Sequence, residues 1–325
     1  MATVAEIEGW LDQATTLIAQ AKAGLVPVTA PPAIPPPPVV PPPVVPPTTG
    51  FGPWKWDARS AVLDPNSAAM IASWLGYSGT RAYLAAEVAV ADTRADSPGY
   101  SIPGVPVDPL VYIPLGTKPG VSADHHLWVR DTIHRRETDL AYAKYDAATQ
   151  RISGASFGGS FPLGAVSEPT GNHEGSVAAL LPLGRGLIWP AEVAAGVIDH
   201  PLCFSCNNTG SGAGLYPSAA QVGGLNAGHL RFGSWLRLDP SVNIGTLGLT
   251  RFAAMVCHAL QNYGMFLRDT GSLVAFYGAD PGGGGQSDAQ WKAAGLTLNW
   301  ADAGALQVTG IPWDRMQLLQ PPPRL

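Results

Sequence analysis

The sequence predicts a mainly β head, a sandwich or jelly roll with a few short helices, preceded by an N-terminal α-helix and a polyproline II linker. Three observations carry this. Residues 27–47 are more than half proline. The residues before them keep a heptad pattern. The residues after them break into short apolar runs punctuated by Gly, Pro, Asn and Asp, as short strands joined by turns do. Composition agrees: charged residues are 13% of the chain, with 38 Gly and 32 Pro among 325 residues.

In the first segment, residues 1–25, Val4, Ile7, Leu11, Ala14, Ile18, Ala21 and Leu25 form an a/d seam. Thr3 and Glu6 make a capping box, Gly24 supplies the stop, and Pro27 forbids continuation. The seam is short and its Ala residues weaken it. The helix is therefore expected to trimerise, to dimerise with help, or to dock on a partner. Residues 26–49 form the rod. Each proline fixes φ and removes a donor, which leaves a stiff polyproline II strut of roughly 60 Å at full extension.

The head spans residues 50–325. Trp54 and Trp56 open it, and on a strand they point the same way, either closing a core or forming a sugar-stacking platform. Trp128, Trp235 and Trp291 are further candidates for glycan stacking. Residues 64–77 read as a helix entered through Pro65. Strands are expected over 82–92, 110–115, 126–132, 138–146, 176–183, 229–238 and 272–278. Two further helices are expected over 189–202, with a proline in its first turn, and over 249–264. The second carries Phe252, Val256 and Leu260 on one face and stops at Gly264. Residues 280–288 read as a rim loop.

Net charge is −5 without a basic block, which gives nucleic acid no electrostatic footing. No apolar run is long enough to cross a bilayer. Glu6, Glu8 and Asp12 stand where a signal peptide would be basic, so export by the standard route is not expected. No nucleophile elbow, phosphate loop, dinucleotide fingerprint or zinc-helix motif occurs, and no cofactor is expected. Three cysteines make no disulfide framework. Cys203 and Cys206 form a CxxC that could hold zinc, with His200 nearby and His258 beside Cys257, but the second ligand pair is missing.

Polar clusters mark where chemistry could sit. Residues 123–139 hold Asp124, His125, His126, Asp131, His134, Glu137 and Asp139. Strand alternation there turns one of the two adjacent histidines inward. Asp131 with Arg130, and Glu137 with Arg135 and Arg136, read as ion pairs at a hairpin rim. Glu168, His173 and Glu174 lie in or before a glycine-flanked loop. Glu192, Asp199 and His200 lie on or just after a helix, where the dipole favours Glu192 in any case. Glu174 and Glu192, with His200, are the candidate catalytic set, because two carboxylates across a cleft hydrolyse glycosides.

Two resemblances add to this. Residues 192–272 resemble a β-sandwich domain of bacterial extracellular, carbohydrate-associated proteins. The likeness rests on the helix running into Gly196–His200, the strand and turn of 230–241, and a helix ending at Tyr263-Gly264 that feeds a strand closed by Asp269-Thr270-Gly271. This likeness implies a jelly-roll-like head. The overall plan, a capped helix, a proline rod and an Ala/Gly/Pro/Trp-rich head, resembles the minor tail proteins of phages that infect actinobacteria. That resemblance implies a virion protein without a signal peptide, anchored among other tail proteins as a homotrimer. Its head would bind host cell-envelope glycan. A polysaccharide hydrolase or lyase and a purely structural tail component are the alternatives.

Overall fold

The computed structural model describes residues 54, 56–166, 175–221 and 223–324. The N-terminal seam from Val4 to Leu25, the proline rod, Glu168, His173 and Glu174 lie outside the described residues.

The fold is mainly β, with few helices. In chain order it runs α1 (Ser67–Ser78), β1 (Ala82–Asp92), β2 (Gly99–Tyr100), β3 (Val111–Tyr112), β4 (Leu127–Asp131) and β5 (Arg136–Ala141). Next come β6 (Lys144–Asp146), β7 (Arg151–Gly154), β8 (Phe157–Pro162), α2 (Pro190–Ala195), β9 (Leu202–Cys206) and β10 (Trp235–Leu238). The last are α3 (Arg251–Asn262), β11 (Met265–Thr270), β12 (Val274–Pro281), α4 (Asp288–Ala293), β13 (Ala305–Val308) and β14 (Met316–Leu319). Ten strands join one sheet in the order β14-β10-β11-β9-β12-β1-β4-β5-β8, with β13 also paired to β1. The pairs β1/β12, β1/β4 and β9/β11 are parallel. A jelly roll pairs its strands antiparallel throughout. The sheet is mixed, and the expected sandwich gives way to this arrangement.

Strand β1 organises the sheet. Its Ala82, Leu84, Ala86, Val88 and Val90 enter the main core. On its other face, Ala89 and Ala91 enter a second, smaller core with Ile113, Leu140 and Ile152. The earlier residues of that face, Tyr83, Ala85 and Glu87, line an open recess instead. The strand expected over 82–92 forms over those residues. What sequence does not show is that one face is covered along only part of its length.

Helix α3 also forms where expected. Thr250 caps it by accepting from the Ala253 N–H, and Phe252, Val256 and Leu260 are buried. At Gly264 the chain turns with φ 76°, and a Cβ there would lie 2.5 Å from the Leu236 carbonyl oxygen. Only glycine suits both demands. Helix α2 is shorter than expected, because the chain leaves the helix at Gly196 in a left-handed conformation. Strand β9 takes the residues that follow.

Other expectations are corrected. Residues 176–183 are not a strand: they run as bends and turns, mostly buried, with Leu180 at φ 54°. Their apolar content reflects burial rather than period. The run 138–146 breaks at Tyr142, which takes φ 53° between β5 and β6. Strands over 110–115 and 229–238 contract to β3 and β10.

The five tryptophans offered for stacking are core residues. Trp54, Trp56 and Trp235 pack around Phe266, with ring centroids 5.3, 5.6 and 5.5 Å away. Trp128 is buried and donates to Glu137 Oε2 at 2.9 Å. Trp291 is buried and donates to the Ala279 carbonyl at 3.2 Å. Their faces are covered, as large apolar rings favour.

Nor are the expected rim ion pairs formed. Glu137 is fully buried and meets Arg185 through two bonds, at 2.6 and 3.1 Å. Arg130 pairs with Asp92 and Arg136 with Asp108, while Asp131 accepts from the Ile133 and His134 N–H groups and meets the His134 ring at 2.7 Å. The Arg185–Glu137 pair ties the irregular 176–188 segment to the β4–β5 hairpin. Arg185→Met would strand a buried carboxylate and is expected to cost about 3–5 kcal/mol, read as a lowered urea midpoint.

Candidate functional site

The recess beside β1 arises where the sheet changes partners. On one edge, β1 pairs with β13 over Ala82–Ala85 and with β4 over Ala89–Asp92. Glu87 falls in the gap. On the other edge, an extra residue of β1 lies between the Ala85–Tyr277 and Val88–Ala279 pairs, a β-bulge. A second bulge lies in β11, between the Leu267–Phe204 and Asp269–Ser205 pairs. Bulges re-aim side chains, and here each presents a carboxylate to one recess. Gly120 packs flat against the first: a Cβ there would sit 1.8 Å from the Glu87 carbonyl oxygen.

Two cavities meet at these acids. One, of about 340 Å³, is lined by Asp124, His126, Tyr142, Phe157, Ser176 and Asp269, among others. The other, of about 330 Å³, is lined by Tyr83, Glu87, Asp124, Ser205, Asp269, Tyr277 and Asp302, among others. They share Asp124, Asp269 and Thr270. The two join at Asp124 and Asp269 into one trough, with Glu87 in the second cavity.

Burial, then the charge of Asp124, raises the Glu87 carboxyl to about 7. Burial likewise raises Asp269 to about 7, although its carboxylate accepts from the Thr270 N–H at 2.7 Å. Both residues are part-exposed. The buried Arg268 guanidinium limits both shifts. Tyr277 is held well above its usual range by burial and by the two acids.

His126 is 2% exposed, and burial lowers it to about 4, so the ring is neutral near pH 7. The Ser176 carbonyl, 3.2 Å from Nε2, can only accept, so Nε2 carries the proton and Nδ1 keeps a lone pair. Nδ1 has no hydrogen-bond partner among the described residues.

At one end of the trough stand Tyr142 and Phe157, 42% and 45% exposed, with centroids 5.9 Å apart. The Tyr142 hydroxyl lies against Asp124, which holds its pKa above the usual value. Left-handed backbone is costly at a tyrosine, and such strain gathers at working sites. A paired N–H from Tyr142 and Ala143 to the carbonyls of Asp124 and His125 holds it there.

Of the sequence candidates, Glu192 and His200 come together but away from the trough. His200 Nε2 lies 2.9 Å from Glu192 Oε1, and both residues are buried. Glu192 Oε2 caps α2 by accepting from the Trp189 N–H at 2.9 Å. Burial opposes the His200 charge, but Glu192, the Pro201 carbonyl and Asp199 outweigh it and raise the pKa. The pair is buried, and Glu192 caps α2. Glu174 lies outside the described residues. Cys203 and Cys206 stand three apart on β9, on opposite faces, so they cannot share an ion. Burial raises both thiols, Cys206 to about 12. No group of three or more His, Cys, Asp or Glu among the described residues could hold a metal ion. No helix among them is long and apolar enough to cross a membrane.

Asp124 and His126 were visible as a polar cluster. Glu87 was not, since a lone glutamate in an alanine-rich strand carries no motif. Asp269 showed only as a turn residue. No known family profile, curated protein or solved structure matches the chain.

The raised carboxyls set a pH dependence. Between their ordinary values, 4.5 for Glu87 and 3.8 for Asp269, and about 7, the folded chain binds more protons than the unfolded one. Stability therefore falls as pH rises through that window. His200, with a raised pKa, stabilises below 6.5 and loses that contribution as pH rises through its folded value. Glu87→Gln is expected to flatten the slope and to stabilise the protein at pH 8 by about 1–2 kcal/mol, measured by urea unfolding across pH.

Proposed function

We propose that the head is a glycan-processing module and that the trough is its active site. One observation carries the reading: two bulges bring Glu87 and Asp269 to one recess, which continues past Asp269 to an exposed aromatic pair. Sugars are held by stacking on exposed rings and by hydroxyl contacts, which Tyr142, Phe157, Ser205 and Tyr83 can offer. Carboxyls titrating near neutrality serve as general acid and general base.

Roles follow from the hydrogen bonds. Asp269 accepts backbone N–H bonds from Thr270 and Ala178, which favour its ionised form. It is the base that takes a proton from water. Glu87, the other raised carboxyl lining that recess, is the acid. It protonates the glycosidic oxygen as the bond to the anomeric carbon breaks, and water adds to that carbon. The negative charge of Asp124 supports the cationic transition state.

The helix pattern of residues 1–25 and the proline run of 26–49 support a peg and spacer, placing the head on a phage tail. Other tail proteins and further copies of the chain are the proposed partners, and host cell-envelope glycan is the proposed target.

Reducing-end release from envelope polysaccharide tests this. Glu87→Gln is expected to lose about 10²–10⁴-fold in kcat on natural linkages. It is expected to keep most activity on aryl glycosides, whose leaving group needs no acid. Asp269→Asn should lose both. Tyr142→Ala should raise KM with little change in kcat. Equal activity of all three variants would refute the assignment.

A further inference from the structure

Two features of the trough narrow its substrate, granting the glycan-processing reading above. The first is where the acids stand. Asp124 and Asp269 belong to both cavities, so room for sugar extends to either side of the reacting centre. One arm runs toward Tyr142 and Phe157, the other toward Tyr83 and Asp302. Each arm falls in the volume range of a small-molecule cavity. A site built to take only chain ends would be closed on one side.

The second feature is charge. Glu87, Asp124, Asp269 and Asp302 line the trough, and no Lys or Arg lines either cavity among the described residues. Arg268 is close but fully buried beneath the floor. His126, the other nitrogen base, is buried and offers a lone pair from Nδ1 rather than a cation. With Glu87 protonated as the acid, a uronate or phosphate on the substrate would still face Asp124, Asp269 and Asp302 with no counter-charge in the lining. Like charges juxtaposed at an interface cost several kcal/mol. A β-eliminating lyase also needs a cation against the uronate carboxylate, and the trough lining holds none.

We propose that the trough binds an internal stretch of an uncharged polysaccharide and cuts within the chain. The exposed rings of Tyr142 and Phe157 would hold the sugar unit on that arm.

The test uses the full chain on soluble neutral polymers (arabinogalactan, arabinan and mixed-linkage glucan) and on polygalacturonate. Viscosity and reducing ends are followed together. Viscosity of a neutral polymer is expected to fall far ahead of reducing-end release, with oligosaccharide products. Polygalacturonate is expected to be cut at least about 100-fold more slowly. Asp302→Lys, a change at the exposed rim, should raise the polygalacturonate rate about 10-fold. Release of single terminal sugars at constant viscosity would overturn internal cleavage and leave the hydrolase standing. Equal or faster cleavage of polygalacturonate, or an unchanged rate in Asp302→Lys, would overturn the charge argument alone. No reducing ends from any polymer would overturn both the inference and the activity beneath it.

Discussion

Arg268 is the residue on which fold and site both depend. It is the extra residue of the β11 bulge, and its guanidinium is fully buried. It donates to the carbonyls of Pro182, Leu183 and Arg185, and lies 4.7 Å from the centre of the Tyr277 ring. A buried cation without such partners would be prohibitively costly. Its partners are backbone carbonyls of a segment that forms neither helix nor strand and has few other ways to bond them. This side chain bonds three carbonyls of the 176–188 stretch, which the Arg185–Glu137 pair, the Leu183 N–H bond to Asp139 and the Ile188–Tyr277 backbone bond also hold on the sheet. Because Arg268 is inserted, Asp269 is re-aimed into the trough. Above it sit two carboxyls, whose climb in pKa its charge limits.

The trough follows from an incomplete covering. One face of β1 is packed along its whole length by the main core. The other is packed only by the small core around Ile113, Leu140 and Ile152. Where that cover ends, Glu87 begins. Polar side chains are excluded from a covered face but tolerated at such a margin, where part of their hydration survives. The protein carries a standing cost there: two acids forced toward neutrality and a tyrosine in left-handed backbone. Working sites commonly hold such locally unfavourable features, offset by packing elsewhere. The buried Arg185–Glu137 pair and the aromatic cluster around Phe266 are where this molecule concentrates its packing.

Patterns with a local cause were legible in the sequence. Residues 82–92 form a strand over those same residues, because a short apolar run bounded by turn residues is a local signal. The helix over 249–264 forms as Arg251–Asn262, because its cap, apolar stripe and stop are all local. Patterns with a non-local cause misled. Tryptophans suggested platforms, yet a large ring fills a core as readily as it stacks on sugar. Residues 176–183 are apolar because the fold buries them, and apolarity alone sets no period. Glu192 and His200 do meet, but as a cap sealed from solvent.

The chain's own order of residues settled its β-rich character and the place of β1 and α3, since each depends on neighbours within a few positions. It also placed Asp124 and His126 in a polar cluster. Only tertiary structure joined Glu87 to Asp269, from strands 182 residues apart. It did so through two bulges and a change of sheet partner. Register and bulge position are set by how distant strands share hydrogen bonds, which no local window of sequence encodes.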